Sequence, residues 1–314
     1  MQKSSFVIGL LNSEDKNIAE YLATWDDLNV FFKTLDKSWD FVSQLWKSDR
    51  EIEKDNKIAC QEKIDDYLLS NTRLELQILL FKRFQEVFEI EDEKILSQRQ
   101  LNDISYDLEI KTLTFQKKFS NEEDKLKTFA GNTFVDLRKY FLEIMVEQFK
   151  DLDNTKQKKV LEEMVDKLNN LSSDELKEFK NKMNIDEVTN ESIKKILLGG
   201  GIYSMFAGAV GAVGFPAYLF LISFVKGISS IIGITFPFGV YIGANSAMAF
   251  LSSWFLPIIL AGGLFFSNKY TTKLRKVFAV ASMVSISFQA YKDVDLNVVN
   301  SFIEKYNIEL YKSE

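Results

Sequence analysis

Apolar residues recur at helical intervals through the first 195 positions, and beyond that point the polar faces disappear. Leu137, Phe141, Ile144 and Met145 form one stripe; Leu76, Leu79, Leu80 and Val87, interrupted by Arg83, form a second. Such stripes are the faces that amphipathic helices bury against one another. Between Leu10 and Ala130 there is neither Gly nor Pro, and the first Pro of the chain is Pro216. So long a stretch without turn residues predicts helices. Ser48–Glu51, Ser120–Glu123 and Ser172–Glu175 each fit a capping box, in which a hydroxyl and a carboxylate satisfy opposite orphan amides. The pattern predicts helices over 14–46, 49–90, 92–118, 121–150, 155–169 and 173–183. The alternation Tyr106–Leu108–Ile110 also fits a strand.

From Ile196 to Asn268 the only charged residue is Lys226, which leaves uncharged runs of 30 and 42 residues. Twelve of the 14 glycines lie between Gly199 and Gly263, and all three prolines (Pro216, Pro237, Pro257) fall inside the block. A membrane span needs about 20 apolar residues. The block is therefore expected to insert into a membrane, as two long kinked spans or three short ones. Proline is tolerated there because neighbouring helices can re-satisfy the freed carbonyls.

Small residues recur at packing intervals within the block. Gly200, Ser204, Ala207, Gly211 and Gly214 make one stripe, with Gly208 alongside; Gly239, Gly243, Ser246, Ala249 and Ser253 make another. Small stripes let backbones approach closely in lipid, where no hydrophobic effect drives association. They predict a helical hairpin or a self-associating surface. In the alternative reading Ser204, Asn245, Ser246, Ser252 and Ser253 line a wet pore.

Both flanks are basic, with Lys194 and Lys195 before the block and Lys269, Lys273, Arg275 and Lys276 after it. These side chains suit lipid headgroups. The positive-inside rule puts both flanks in the cytoplasm and calls for an even number of crossings. Two crossings place Lys226 near the far interface, where its stem can snorkel. The uncharged run Val277–Tyr291 is short for a span, and either lies in the interface or packs back on the bundle.

Charge sharpens this division. The chain carries 39 basic and 45 acidic side chains, of which 8 and 5 follow Leu197, so 31 and 40 precede it. An acidic body argues against nucleic acid, whose phosphates need a Lys/Arg face. The basic excess around the block suits anionic lipid instead. Charge runs such as Asp49–Lys57 read as solvated helix faces with i,i+4 pairs.

Candidate chemistry is sparse. There is no histidine, which removes the common acid–base and nucleophile pairings and imidazole metal ligands. The single cysteine, Cys60, reads as a small buried hydrophobe. Ser192-x-x-Lys195 and Ser223-x-x-Lys226 match a Ser-x-x-Lys spacing without the other elements such a site needs. Gly199–Gly201 and Gly208, Gly211 and Gly214 lack the Gly-Lys-Ser/Thr ending of a phosphate loop. No enzyme, cofactor or metal is expected.

The lead-in LEEMVDKLNNLSSDELKEFKNKMNID, then LLGGGIYSMFAGAVGAVG and ITFPFGVYIGANSAMAFL, resembles the YaaW-like family of uncharacterised bacterial proteins over about residues 158–266. That family pairs an acidic helical segment with a glycine-rich apolar block carrying a Pro-Phe-x-x-Tyr element, here Pro237-Phe238-Gly239-Val240-Tyr241. The resemblance implies no activity and no functional residues. In layout alone, the chain is similar to α-helical pore-forming toxins of the colicin and cytolysin A types, which hide a hydrophobic hairpin until a membrane or partner is met.

The sequence thus predicts an all-α protein: a multi-helix acidic body (1–150), a helical lead-in (151–195), a glycine-rich membrane-inserting hairpin (196–268), and a basic flank with C-terminal helices (269–314). The expected function is a membrane-permeabilising bacterial effector of toxin or self-killing defence type. The alternative is a constitutive two-span inner-membrane protein whose body binds partners. The expected partners are the lipid bilayer, further copies of the chain and a regulatory protein, with no nucleic acid. No signal peptide is read, because the Phe6–Leu11 apolar run is too short for one. The expected location is the bacterial inner membrane, or the cytoplasm before insertion.

Overall fold

Capping side chains set where most of the helices begin. In the computed structural model, which describes residues 4–35, 61–121, 131–200, 214–232 and 269–311, the protein is all-α, with no strand among those residues. In chain order the helices are α1 (Ser5–Asn12), α2 (Asp15–Leu35), α3 (61–70), α4 (Arg73–Val87), α5 (Gln98–Asn121) and α6 (Phe134–Asp151). They continue with α7 (Asn154–Asn169), α8 (Ser173–Met183), α9 (Asn190–Leu198), α10 (Gly214–Ile232), α11 (Lys269–Ser287) and α12 (Leu296–Tyr311). The Ser172–Glu175 box caps α8 as expected, with Ser172 Oγ 3.4 Å from Glu175 N. The same chemistry opens α4 at Thr72–Glu75, α6 at Thr133–Asp136 and α9 at Thr189–Ser192.

The unforeseen caps at Thr72 and Thr133 account for two of the boundary corrections. The helix expected over 49–90 is broken at Asn71–Thr72, where the Thr72 N–H and hydroxyl both turn to Glu75 Oε2 at 2.8 Å. Residues 90–97 are not helical, and α5 starts at Gln98 rather than at 92. The Asn307 side chain holds that segment by accepting from Ile95 N (2.9 Å) and donating to Ile95 O (2.8 Å). Tyr106, Leu108 and Ile110 lie within α5, so the strand alternative fails. Ser120 sits in the last turn of α5, Glu123 lies outside the described residues, and α6 begins at Phe134 instead of 121. The box at Ser48–Glu51, the run Asp49–Lys57, Cys60 and residues 36–46 lie outside the described residues.

Two packing groups emerge, and they cut across the chain order. In the first, α1, α2, α4, α5, α11 and α12 enclose an aromatic core. Phe6 stacks on Phe81 at 6.2 Å and meets Phe84 edge-on at 5.1 Å, while Trp25 meets Phe84 at 5.6 Å. Edge-to-face geometry suits the ring quadrupoles and adds to the area buried. In the second group α7 is central, with α9 and α10 on it, and α10 also touches α6 and α8. Helices α5 and α6 join the groups. The segment after the hydrophobic block therefore returns to pack with the first 121 residues, while α6, counted with the body in the sequence, packs with the segment leading into the block. The uncharged run Val277–Tyr291 packs back on the bundle, the second of its two expected placements: Ala279, Val280, Met283, Val284 and Ile286 are buried.

Candidate membrane-insertion element and its seat

Helix α10 is the longest described part of the hydrophobic block, and one face of it is fully committed to the body. Ala217, Phe220, Leu221, Phe224 and Ile228 are buried, at the 3- and 4-residue steps that one helix face dictates. Opposite them α7 presents Val160, Leu161, Met164 and Leu168. Rings from flanking helices complete the seat: Phe149 lies 5.8 Å from Phe224, and Phe179 lies 5.8 Å from Phe220. At Gly227 a Cβ would stand 2.9 Å from Val160 Cγ1, so the absent side chain lets the two helices close. This close approach is between α10 and the body, at a glycine outside either proposed stripe.

A buried amide ties the seat together. Gln157 on α7 donates through Nε2 to the carbonyls of Phe149 (3.0 Å), Lys150 (3.3 Å) and Leu152 (3.0 Å), which end α6. Its Oε1 accepts from Lys194 Nζ on α9 at 2.8 Å. Lys194, expected at lipid headgroups, is thus held by the body. Lys276 likewise pairs with Glu89 at 3.0 Å, drawing that carboxyl below its ordinary range. Lys195 is exposed and Arg275 half-buried. Lys269 and Lys273 lie in the first turns of α11.

The remaining sequence candidates divide plainly. Gly200 is not on a helix stripe: it follows the end of α9 with φ 79°, a left-handed turn that glycine adopts without strain. Gly214 opens α10 and Pro216 lies in its first turn, where the missing N–H would be unpaired in any case. Lys226 lies inside α10, which runs on to Ile232, so no turn between two arms falls there. Ser204, Gly208, Gly211, Pro237, Gly239, Gly243, Asn245, Ser246, Ser253 and Pro257 lie outside the described residues. Among the described residues, no helix is long and apolar enough to cross a membrane.

The downstream flank has its own seat, whose partners the sequence did not point to. Tyr21 on α2 donates to Ser285 Oγ on α11 at 2.8 Å, and Thr112 on α5 reaches Met283 Sδ at 3.1 Å. Arg138, buried on α6, reaches Ser287 O at 3.5 Å and lies over the Phe288 ring, 5.9 Å from its centroid. Burial pushes its guanidinium down to about 10, and the charge of Glu109 opposes that shift. Glu109 is itself buried on α5, and desolvation raises its carboxyl against the pull of hydrogen bonds from Phe6 and Ser4. The block and the segment beyond α11 meet at an aromatic stack, with Tyr218 of α10 4.8 Å from Tyr291.

Comparison with protein-family models, with curated proteins and with solved structures finds no match for this chain.

Proposed function

We propose that the chain is a membrane-permeabilising effector whose helical body holds a hydrophobic, glycine-rich hairpin (196–268) until a bilayer is met. The observation that carries this reading is the apolar seat of α10. Fully burying a Phe, Leu or Ile is worth about 1.5–3 kcal/mol each. Moving Phe220, Leu221, Phe224 and Ile228 into water would therefore cost roughly 6–12 kcal/mol by the same scale. Moving them into hydrocarbon forfeits almost none of that, because lipid tails are as apolar as the seat. A helix held by such contacts is stable in water and exchangeable at a membrane. The small stripes at Ser204–Gly214 and Gly239–Ser253 then supply contacts between inserted copies, so a homo-oligomer is part of the reading. The basic flanks become available to anionic headgroups once Lys194 and Lys276 leave Gln157 and Glu89.

Expression in a bacterium while membrane potential is recorded tests the reading. Collapse of the potential with arrest of growth is expected. Unchanged potential and growth at high expression would sink it and leave the constitutive two-span membrane protein in its place. Recovery of the chain from a carbonate wash as a soluble monomer would rule out that second reading.

A further inference from the structure

The apolar run Phe6–Leu11 has a definite place in the fold. It forms α1, and α1 lies across α11, the helix that follows the hydrophobic block directly. Phe6 and Leu10 are completely buried. At one end, Glu109 Oε1 accepts from Ser4 Oγ (2.8 Å), Ser5 Oγ (3.2 Å) and Phe6 N (3.0 Å), while Ser4 N donates to Asn102 Oδ1 (2.7 Å). At the other, Gln77 Nε2 donates to Leu10 O (3.1 Å) and Leu11 O (3.2 Å), and Arg73 donates to Leu11 O at 3.1 Å. A helix of 8 residues does not persist alone in water, so its helicity depends on this socket. Seating and folding of α1 are one event.

What α1 covers is the last turn of α11. A Cβ on Gly9 would lie 2.0 Å from Ile286 O, so the two backbones are in direct contact. Asn12 Nδ2 donates to Gln289 O (3.2 Å) and Lys292 O (2.8 Å), carbonyls just beyond the helix end. We propose that α1 is a lock on α11: the block cannot leave the body by its downstream flank until α1 has left its socket.

This rests on the insertion reading above and adds the order of events. The α10 seat is apolar and can be traded for lipid. The α1 socket ends in buried polar groups, and hydrocarbon offers them no partners. A membrane can therefore draw on the α10 seat directly, but it cannot relieve the lock. Release of α1 is the step that decides whether insertion goes to completion.

Dye release from vesicles of mixed phosphatidylglycerol and phosphatidylethanolamine tests the lock, using the full chain. Gly9→Leu forces α1 off Ile286, and Asn12→Ala removes two hydrogen bonds without steric demand. Gly227→Leu, which pries α10 from Val160, serves as the reference. With helical content unchanged by circular dichroism, Gly9→Leu is expected to release dye at least tenfold faster than the unsubstituted chain, with Asn12→Ala in between. Should Gly9→Leu fail to fold, Asn12→Ala carries the comparison alone, and any acceleration supports the lock. If Gly227→Leu releases dye while folded Gly9→Leu and Asn12→Ala stay at the unsubstituted rate, the lock is refuted and the insertion reading stands. If no variant releases dye, the insertion reading falls and the lock falls with it.

Discussion

Gly9 and Ile286 meet backbone to backbone, in a contact so close that a single methyl group on Gly9 would overlap the Ile286 carbonyl at 2.0 Å. Two segments 277 positions apart are thereby held at a spacing only glycine permits. Gly9→Ala must move one helix or the other, because the obstacle is main chain and no side chain can swing aside. Overpacking of this kind costs about 1–3 kcal/mol. Urea denaturation should show that loss, and an unchanged midpoint would mean the helices do not touch.

The buried Glu109 gives a pH signature opposite to that of an ordinary ion pair. Its folded pKa lies above the usual 4.5 because burial disfavours the charged form. Its contribution to stability is therefore full below about 4.5 and declines as pH rises toward the folded value. Arg138 stays charged throughout that window, since its own value is about 10. Comparing the unsubstituted chain with Glu109→Gln from pH 4 to 7, the difference in unfolding free energy should move against the unsubstituted chain as pH rises. A difference moving the other way would contradict the burial of the carboxyl.

Glu75 behaves in the reverse sense. Lys305 hydrogen-bonds it at 2.9 Å and the Thr72 cap adds two further bonds, which together lower its carboxyl to about 2. The stability it contributes is complete above about 4.5 and is lost as pH falls through about 2. Lys305→Met removes the tie between α12 and α4 but keeps the cap. Because the pair is about a third exposed, the loss should stay within about 1 kcal/mol at neutral pH and shrink in high salt. An effect unchanged by 1 M salt would rule out an ionic origin.

Gln157 joins three helices through one amide group, so its removal should be felt at a distance. Gln157→Leu leaves the Leu152 carbonyl without its donor, leaves the Phe149 carbonyl only the Leu152 N–H at 3.3 Å, and frees Lys194. Each unsatisfied buried group costs about 1–3 kcal/mol. The expected result is faster amide exchange at the end of α6 and along α9 together. Exchange confined to α7 would show that the amide is not a link.

The small-residue stripes make a separate demand on the proposed inserted state. Gly211→Leu and Gly243→Leu should each weaken self-association in detergent, because a large side chain keeps backbones apart where packing alone holds them. Unchanged oligomer size for both would refute packing through these stripes.

The helical class was legible from the absence of Gly and Pro between Leu10 and Ala130 and from the spacing of Leu137, Phe141 and Met145, all three buried in α6. The break at Thr72 was legible too, in a Thr-x-x-Glu box as plain as the Ser-x-x-Glu box before α8, but with no Gly or Pro nearby the stretch read as one helix. The stripe through Leu76 and Leu80 holds on the buried side, while Leu79 is partly exposed and Arg83 faces Asp26 at 3.4 Å. Nothing in the sequence marked Glu109, Arg138 or Gln157. Each reads as one more charged or polar residue on a helix, and each becomes distinctive only through partners far away in the chain.

By itself the sequence determined what depends on neighbours within a few positions: helix as the structural class, the Ser172 cap, and an apolar block that cannot be left in water. These follow from local periodicity and side-chain chemistry, which the linear order contains. Only the tertiary structure decided that α10 lies on α7, that α11 returns to the first helices, and that Gly9 closes on Ile286. Such contacts join residues tens to hundreds of positions apart, and which apolar face meets which is set by the fit of whole helices. A glycine is a gap in the sequence; it becomes a contact only when another backbone arrives to fill it.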